Sequence, residues 1–402
     1  DATVLGNHEY DLGEGPLKEL VAKIEIPVLG ANVYESATGK RVPYVRPYIL
    51  KEMGGLQIGI FGLITSDMGN LQFAKNITGL EFRGEIETAE AMVKELKAKG
   101  ADIIVLLSHV GYERGKIKLP VSEQDIAEQV PGIDLIVSGH IHIPTSSPVL
   151  LKNKTWLVNA GGYLKAFGKV VLVIDPEAKK LVTVSGGNHK LWIDEFPEDE
   201  EALAITKKHL ESVGRLLNVD IGSSEAALDR AKWKDSPVAN WVTDCVRKWT
   251  KTQIAVQNAT GVRTSLAKGP VQLRHMYEIM PFDNRLVTLY MSGKSLLKLL
   301  EQGASDAPGY LQVSGLRYAL RPKGPKGSRI VWAEVGGRRV HSAGVYSVTA
   351  PDFLVEGGDG YKAFSEGRDI AYTPTKVRDA MIWCAKTYSP IRMPDGNRIV
   401  KQ

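Results

Sequence analysis

The residues Gly6-Asn7-His8-Glu9-Tyr10-Asp11 put an amide, an imidazole and two carboxylates on one short turn. They follow Ala2-Thr3-Val4-Leu5, an apolar run that reads as the end of a buried strand, and Gly6 and Gly13 punctuate the turn. Groups of these types at a strand's C-terminal edge can hold a metal ion or move a proton. The plainer reading is a polar turn in which Asn7 or Asp11 caps the next helix. Two further segments favour the chemical reading. Ala101 to Ser108 is a continuous apolar strand that runs into His109. Ile133 to Val137 is another, and it ends at Ser138-Gly139-His140-Ile141-His142. Four of the eight histidines therefore stand at strand ends, and strands of one sheet present those ends along one edge.

Neutral imidazole serves Zn, Mn, Fe or Co alike, and Asn7 can add an amide oxygen. Rings spaced as in His140-x-His142 can reach two adjacent metals rather than share one. His8 and Asp11 are close enough in a turn for the carboxylate to fix the imidazole tautomer. That pair suits a general acid, or a group that holds a leaving oxygen, beside a metal.

The elements that must position these groups follow an α/β rhythm. Leu56 to Thr65 reads as a strand. Glu85 to Lys99 reads as a helix with an acidic start and a basic end, closed by Gly100. Ser122 to Gln129 is helical, while Ile24 to Val33, Thr155 to Val158 and Lys169 to Ile174 are strand-like. The pattern changes near Phe196-Pro197, and Glu198 to Leu217 reads as one long helix linking two domains. Beyond it, Asp235 to Thr250 is a helix with Ser236 as cap and Pro237 in its first position. Ile254 to Gln257 is a strand that ends at Asn258-Ala259-Thr260-Gly261-Val262-Arg263. Pro281-Phe282-Asp283-Asn284 precedes a strand over Leu286 to Met291 and a helix over Gly293 to Gln302. Strands follow near Leu311 to Leu320, Arg329 to Val335 and Tyr346 to Ala350, the last ending at Pro351-Asp352-Phe353. A final helix is expected from Thr373-Pro374 to about Lys386.

Composition sets bounds. The 402 residues suffice for two or three domains. With 51 basic and 46 acidic residues interspersed, a net charge of +5 gives no basic tail for a nucleic-acid polymer. No apolar stretch reaches the ~20 residues that span a bilayer. Cys245 and Cys384 both lie in helical apolar patterns, so two buried free thiols are expected rather than a disulfide or a metal clip.

In the order GNHEYD, SHVGYERG, SGHIH, N-x-x-G-V-R, PFDN and PDFLVEGGDGY, the chain resembles the 5'-nucleotidase family. These are calcineurin-like metallophosphoesterases with a C-terminal nucleotide-binding domain, and they include UDP-sugar hydrolases and 2',3'-cyclic-nucleotide phosphodiesterases. The resemblance implies a partial α/β metallophosphoesterase sandwich over residues 1–194, a linker helix over 195–219 and an α+β nucleotide-binding domain over 220–402. It implies that Asn7, His109 and His140 bind one metal and His142 a second, with His8 catalytic and Asp11 its partner. Phe282 and Phe353 would sandwich a base, although core packing is the plainer reading of both. Arg263 would meet phosphate or pentose, and Asn258, Asn284 and Asp359 would hold ribose or base. Asp352 stands where family members carry Asn.

The family's D-x-H and Gly-Asp motifs, which precede GNHE, are not in this sequence, so an N-terminally truncated piece is expected. Two divalent ions (Zn, Mn, Co or similar) are implied for the full-length enzyme, and one weakly held ion or none for this piece. For the full-length enzyme the expected activity is hydrolysis of nucleotide phosphate esters in the periplasm or outside the cell. The alternatives are a nucleotide-binding fragment without catalysis, a cyclic-nucleotide phosphodiesterase or 3'-nucleotidase, a UDP-sugar hydrolase, and a related sulfur-oxidation hydrolase. The last is disfavoured by PFDN and GGDGY.

Overall fold

A computed structural model describes residues 1–115, 117–192, 194–305 and 308–402. The chain divides into two compact units, Asp1–Glu198 and Asp199–Gln402. The helix Glu200–Leu217 falls in the second, capped by Asp199, whose side chain accepts from the Ala202 amide at 2.8 Å.

Among the described residues of the first unit, the main sheet has six strands. In order they are Tyr48–Met53, Leu56–Ile64, Ile103–His109, Leu135–Ser138, Trp156–Val158 and Val149–Leu150. Its middle is parallel, with Ile64 opposite His109 and Ser108 opposite Ser138. This register sets the histidine-bearing ends at one level. Leu56–Ile64 and Ile103–His109 are apolar on both sides because both faces are covered. The helix Glu85–Ala98 buries Ala89, Met92, Val93 and Leu96 with Phe61, Ile104 and Leu106.

Thr3–Val4 pairs in parallel with Val28–Leu29, and buried Asn32 ties this layer to the main sheet. The Asn32 amide donates to Ile64 O at 2.7 Å and its Oδ1 accepts from the Ile64 amide at 3.1 Å. The expected strand Ile24 to Val33 is therefore two short pieces, Val28–Leu29 and Val33–Glu35, broken where the chain turns to offer Asn32. A hairpin of Ala166–Asp175 and Lys180–Lys190 completes the unit.

In the second unit, a five-stranded sheet of the described residues runs Gln312–Ser314, Ile254–Gln257, Val345–Pro351, Arg285–Ser292 and Arg368–Lys376. It separates two cores. Ile254 and Val256 face one, and Ala255 faces the other, following the two-residue period of a strand. Ile254–Gln257 and Val345–Pro351 are parallel neighbours, and Leu286 lies opposite Pro351. The NATGVR, PFDN and PDFLVEGGDGY segments consequently leave one edge of one sheet.

Two expectations are corrected in this unit. Thr373-Pro374 does not open a helix, because Arg368–Lys376 is an edge strand. Proline is tolerated there since an edge strand need not donate from every amide. The helix begins at Val377, where the Lys376 amide donates to Asp379 and the Val377 amide to Asn284 O, both at 2.9 Å. The cysteines are not free thiols. Cys245 on Pro237–Thr250 and Cys384 on Val377–Thr387 form a disulfide, with Cα atoms 5.5 Å apart at a sequence separation of 139. Helical patterning indicated their burial, but only the packing of the two helices brings them face to face.

Candidate active site and nucleotide pocket

The turn after Leu5 is a 3₁₀ helix, Asn7–Tyr10, closed by the Glu9 carboxylate, which accepts from the Gly6 amide at 2.6 Å. Tyr10 is fully buried and anchors the turn, edge-on to Phe82. Gly6 must be glycine. A Cβ there would stand 2.7–2.8 Å from the His109 ring and from the Glu9 carboxylate. This close approach brings buried Asn7 onto the ends of the two central strands. Asn7 Oδ1 accepts from His109 Nε2 at 3.1 Å and from His140 Nδ1 at 3.2 Å, and the two rings meet edge-on at 5.2 Å.

His140 and His142 both lie in the left-handed region, at φ 67° and 57°. Non-glycine residues rarely adopt it, and when held there they cluster at functional sites. His142 is exposed and stands edge-on to Tyr163, 5.1 Å between centroids. Exposed His8 pairs through Nδ1 with both Asp11 oxygens, at 3.0 and 3.2 Å.

A divalent ion fits part of this set. Asn7 Oδ1, His109 Nε2 and His140 Nδ1 are three neutral donors around one point. The two separations from Asn7 Oδ1, 3.1 and 3.2 Å, match the ligand spacing around an ion bound at ~2.1 Å. Burial, then the neighbouring His8 and His142, pushes the His109 pKa down to about 4, which keeps the ring in its ligating form. Among the described residues no three His, Cys, Asp or Glu side chains group as a metal site, so an ion here would need the Asn7 amide oxygen as well. For a second ion the expected donor in this unit is His142.

Two neighbours of the site escaped sequence reasoning. Gln72, 6% exposed, donates to Asn7 O and to Asp11 Oδ1. It lies on a loop with no motif, so the sequence carried no signal. Glu123 begins the helix Glu123–Gln129, and nothing in its sequence context singles it out. It is fully buried, with Oε1 accepting from the Gly111 amide at 3.1 Å and Oε2 without a hydrogen bond. Burial pushes its pKa up to about 7, opposed by Ser138, Ser108 and the Gly111 amide.

The two shifts have opposite consequences. His109 takes a proton in the unfolded chain near 6.5 but in the folded chain only near 4. Stability is therefore lost as pH falls through that window, by about 3 kcal/mol. Glu123 stays protonated in the folded chain up to about 7, against 4.5 unfolded, so stability is lost as pH rises through that window, by a similar amount. Between about 4.5 and 6.5 the slopes nearly cancel. Urea denaturation of the chelator-treated chain checks this. Glu123→Gln is expected to lose stability toward acid and His109→Gln toward neutral pH, and parallel profiles would contradict both assignments.

In the second unit, Asp359 is the hub, itself left-handed at φ 52°. Its Oδ2 accepts from Asn258 Nδ2 at 2.7 Å and from Thr260 Oγ1 at 2.6 Å. Thr260 lay unmarked inside the NATGVR segment. Arg263 donates to Thr260 O at 3.4 Å and lies over the Phe282 ring at 5.7 Å. Phe282 is half-buried against one core and Phe353 against the other. Buried Asn284 supplies the carbonyl that receives the Val377 amide. Buried Asp352 accepts from the Phe353 amide at 2.8 Å. The Lys232 ammonium is held below the usual lysine range by burial, then by Arg230 and Arg263, with Asp359 opposing. Three cations therefore crowd near the hub, a setting that favours an anionic ligand.

An α/β unit with histidines on its strand ends, followed by an α+β unit with an aromatic, cation-rich edge, defines a two-domain metallophosphoesterase. The model of the calcineurin-like phosphoesterases matches residues 1–144 and that of the 5'-nucleotidase C-terminal domain matches 212–366. A solved 5'-nucleotidase precursor from Thermus thermophilus is 30% identical, with a TM-score of 0.90 over 100% of this chain and 83% of that one. The chain belongs to the 5'-nucleotidase family of phosphoric ester hydrolases. It is 28% identical to the 5'-nucleotidase of Vibrio cholerae, over 99% of this chain and 78% of that protein. It is also 28% identical to the trifunctional nucleotide phosphoesterase YfkN of Bacillus subtilis, over 94% of this chain, but spans only 29% of that protein's length. Membership in the calcineurin-like family implies divalent metal ions. No helix of the described residues is long and apolar enough to cross a membrane.

Proposed function

We propose that the chain hydrolyses phosphate monoesters of nucleotides, with residues 1–194 catalytic, 195–219 a linker and 220–402 holding the nucleoside. The reading rests on His109 and His140 converging on the Asn7 side-chain oxygen beside the His8–Asp11 pair. Asn7, His109 and His140 hold one ion and His142 contributes to a second, the candidates being Zn, Mn or Co. A divalent ion there supplies Lewis acidity and neutralises phosphoryl charge. Water forms the new bond to phosphorus as the ester P–O bond breaks, His8 gives a proton to the leaving ester oxygen, and Asp11 fixes the His8 ring through Nδ1. Phe282 and Phe353 stack on the base, Asn258, Asn284 and Asp359 bind ribose or base, and Arg263 meets phosphate or pentose. The products are the nucleoside and inorganic phosphate.

A buried disulfide linking distant segments supports a periplasmic or extracellular site, since such bonds persist in oxidising compartments. The test is product release: inorganic phosphate from 5'-AMP and 3'-AMP, AMP from 2',3'-cyclic AMP, and UMP from UDP-glucose. Chelation is expected to abolish release, and Mn, Co or Zn to restore it. Release that survives chelation overturns the metal assignment, and no release from any ester leaves nucleotide binding as the function.

A further inference from the structure

Gln72 joins two parts of the first unit that have separate duties. Its backbone ends the short helix Met68–Leu71, and its side chain is 6% exposed. Nε2 donates one hydrogen to Asn7 O at 2.7 Å and the other to Asp11 Oδ1 at 2.6 Å. Both partners can only accept, so the NH₂ end of the amide must face them. Asn7 carries the oxygen on which His109 and His140 converge, and Asp11 is the carboxylate that holds His8. Asp11 itself is exposed, with 38% of its side chain accessible. A carboxylate so placed turns freely unless something fixes it. The fixing contacts come from one short segment, since Asn76 Nδ2 also donates to Asp11 O at 2.8 Å.

We propose that Gln72 is a positioning residue. It holds the Asp11 carboxylate in register with the Asn7 turn, so that the His8 ring is presented at a fixed place relative to the convergent donors. The proposal rests on the phosphohydrolase reading above. Its chemistry is plain: one amide with two donors spans a backbone carbonyl and a carboxylate, and no other neutral side chain of that length offers two donors from one atom. A buried glutamine that served folding alone would not depend on Asp11 for its effect.

A double-mutant cycle separates the two cases. Gln72→Met keeps the volume and removes both donors. It is expected to lower kcat about ten-fold while KM stays within two-fold, as loss of ordering at the reacting group does. In the Asp11→Ala background the same change is expected to cost less than two-fold, because the group it acts through is gone. A full ten-fold loss in that background, or no loss in the parent, overturns the proposal. Gln72→Glu is isosteric and turns the donor end into an acceptor facing two acceptors. It is expected to lose at least as much, and unchanged kcat contradicts the assignment.

A third arm needs no turnover. In the chelator-treated chain, the His8 Nδ1–H proton is expected at low field in the ¹H–¹⁵N spectrum and to be lost in Gln72→Met. An unchanged signal overturns the positioning role. If the parent chain releases no phosphate, the functional reading fails while this arm still decides the proposal.

Discussion

His8→Ala is expected to lower kcat for phosphate release by about 10²–10⁴-fold, the range by which a positioned general acid contributes. The argument starts from exposure and pairing. The His8 side chain is 43% accessible and is held through Nδ1 by Asp11. With Nδ1 committed to the carboxylate, Nε2 is the end at which a proton is delivered. Because the ring is at the surface, its removal is expected to move the unfolding midpoint little, within the ±0.5 kcal/mol usual for such changes. Rate and stability therefore separate cleanly in this variant. Asp11→Asn is expected to fall between parent and His8→Ala, since an amide still touches Nδ1 without supporting a charged ring. Initial rates of phosphate release with a parallel thermal melt check both. A His8→Ala rate within ten-fold of the parent would remove His8 from the proton-transfer step.

What the sequence carried, and what it did not, follows the range of the interactions. Strand ends at His8, His109 and His140 were legible because each follows a local apolar run, and parallel strands must present those ends together. The strand beginnings and ends at NATGVR, PFDN and PDFLVEGG were legible for the same reason. Asn32 splitting a strand to reach Ile64, and Pro374 within an edge strand, were not. In both cases a partner far along the chain overrode the local pattern. Cys245 and Cys384 show the same limit. Burial is written in the period of each helix, but their pairing depends on which faces of two helices meet. Gln72 lies in no motif and Thr260 at an unassigned position of NATGVR, and their meaning comes from Asp11 and Asp359. Glu123 carries no mark in the sequence, because a helix start favours carboxylates whether they are exposed or, as here, fully buried.

Phe353→Ala is expected to weaken adenosine binding by about 5- to 150-fold, the equivalent of ~1–3 kcal/mol for a stacked base. Gly358 lies against the Phe353 ring so closely that a Cβ would stand 2.4–2.6 Å from three ring atoms. That glycine fixes the tilt of the ring, so Gly358→Ala, which leaves the aromatic in place, is expected to weaken binding as well. Phe353 also packs against the core that holds Leu354, Tyr361 and Phe364, and truncation opens space there. A loss of binding in Phe353→Ala alone could thus reflect a loosened core. Phe353→Leu answers this, because it fills most of that volume without an aromatic face. Stacking predicts that leucine restores the melting temperature but not the affinity, and packing alone predicts that it restores both. Calorimetric titration of adenosine into the three variants distinguishes them. Equal affinity in Phe353→Leu and the parent would assign Phe353 to the core and leave the base to Phe282, whose ring lies under the Arg263 guanidinium.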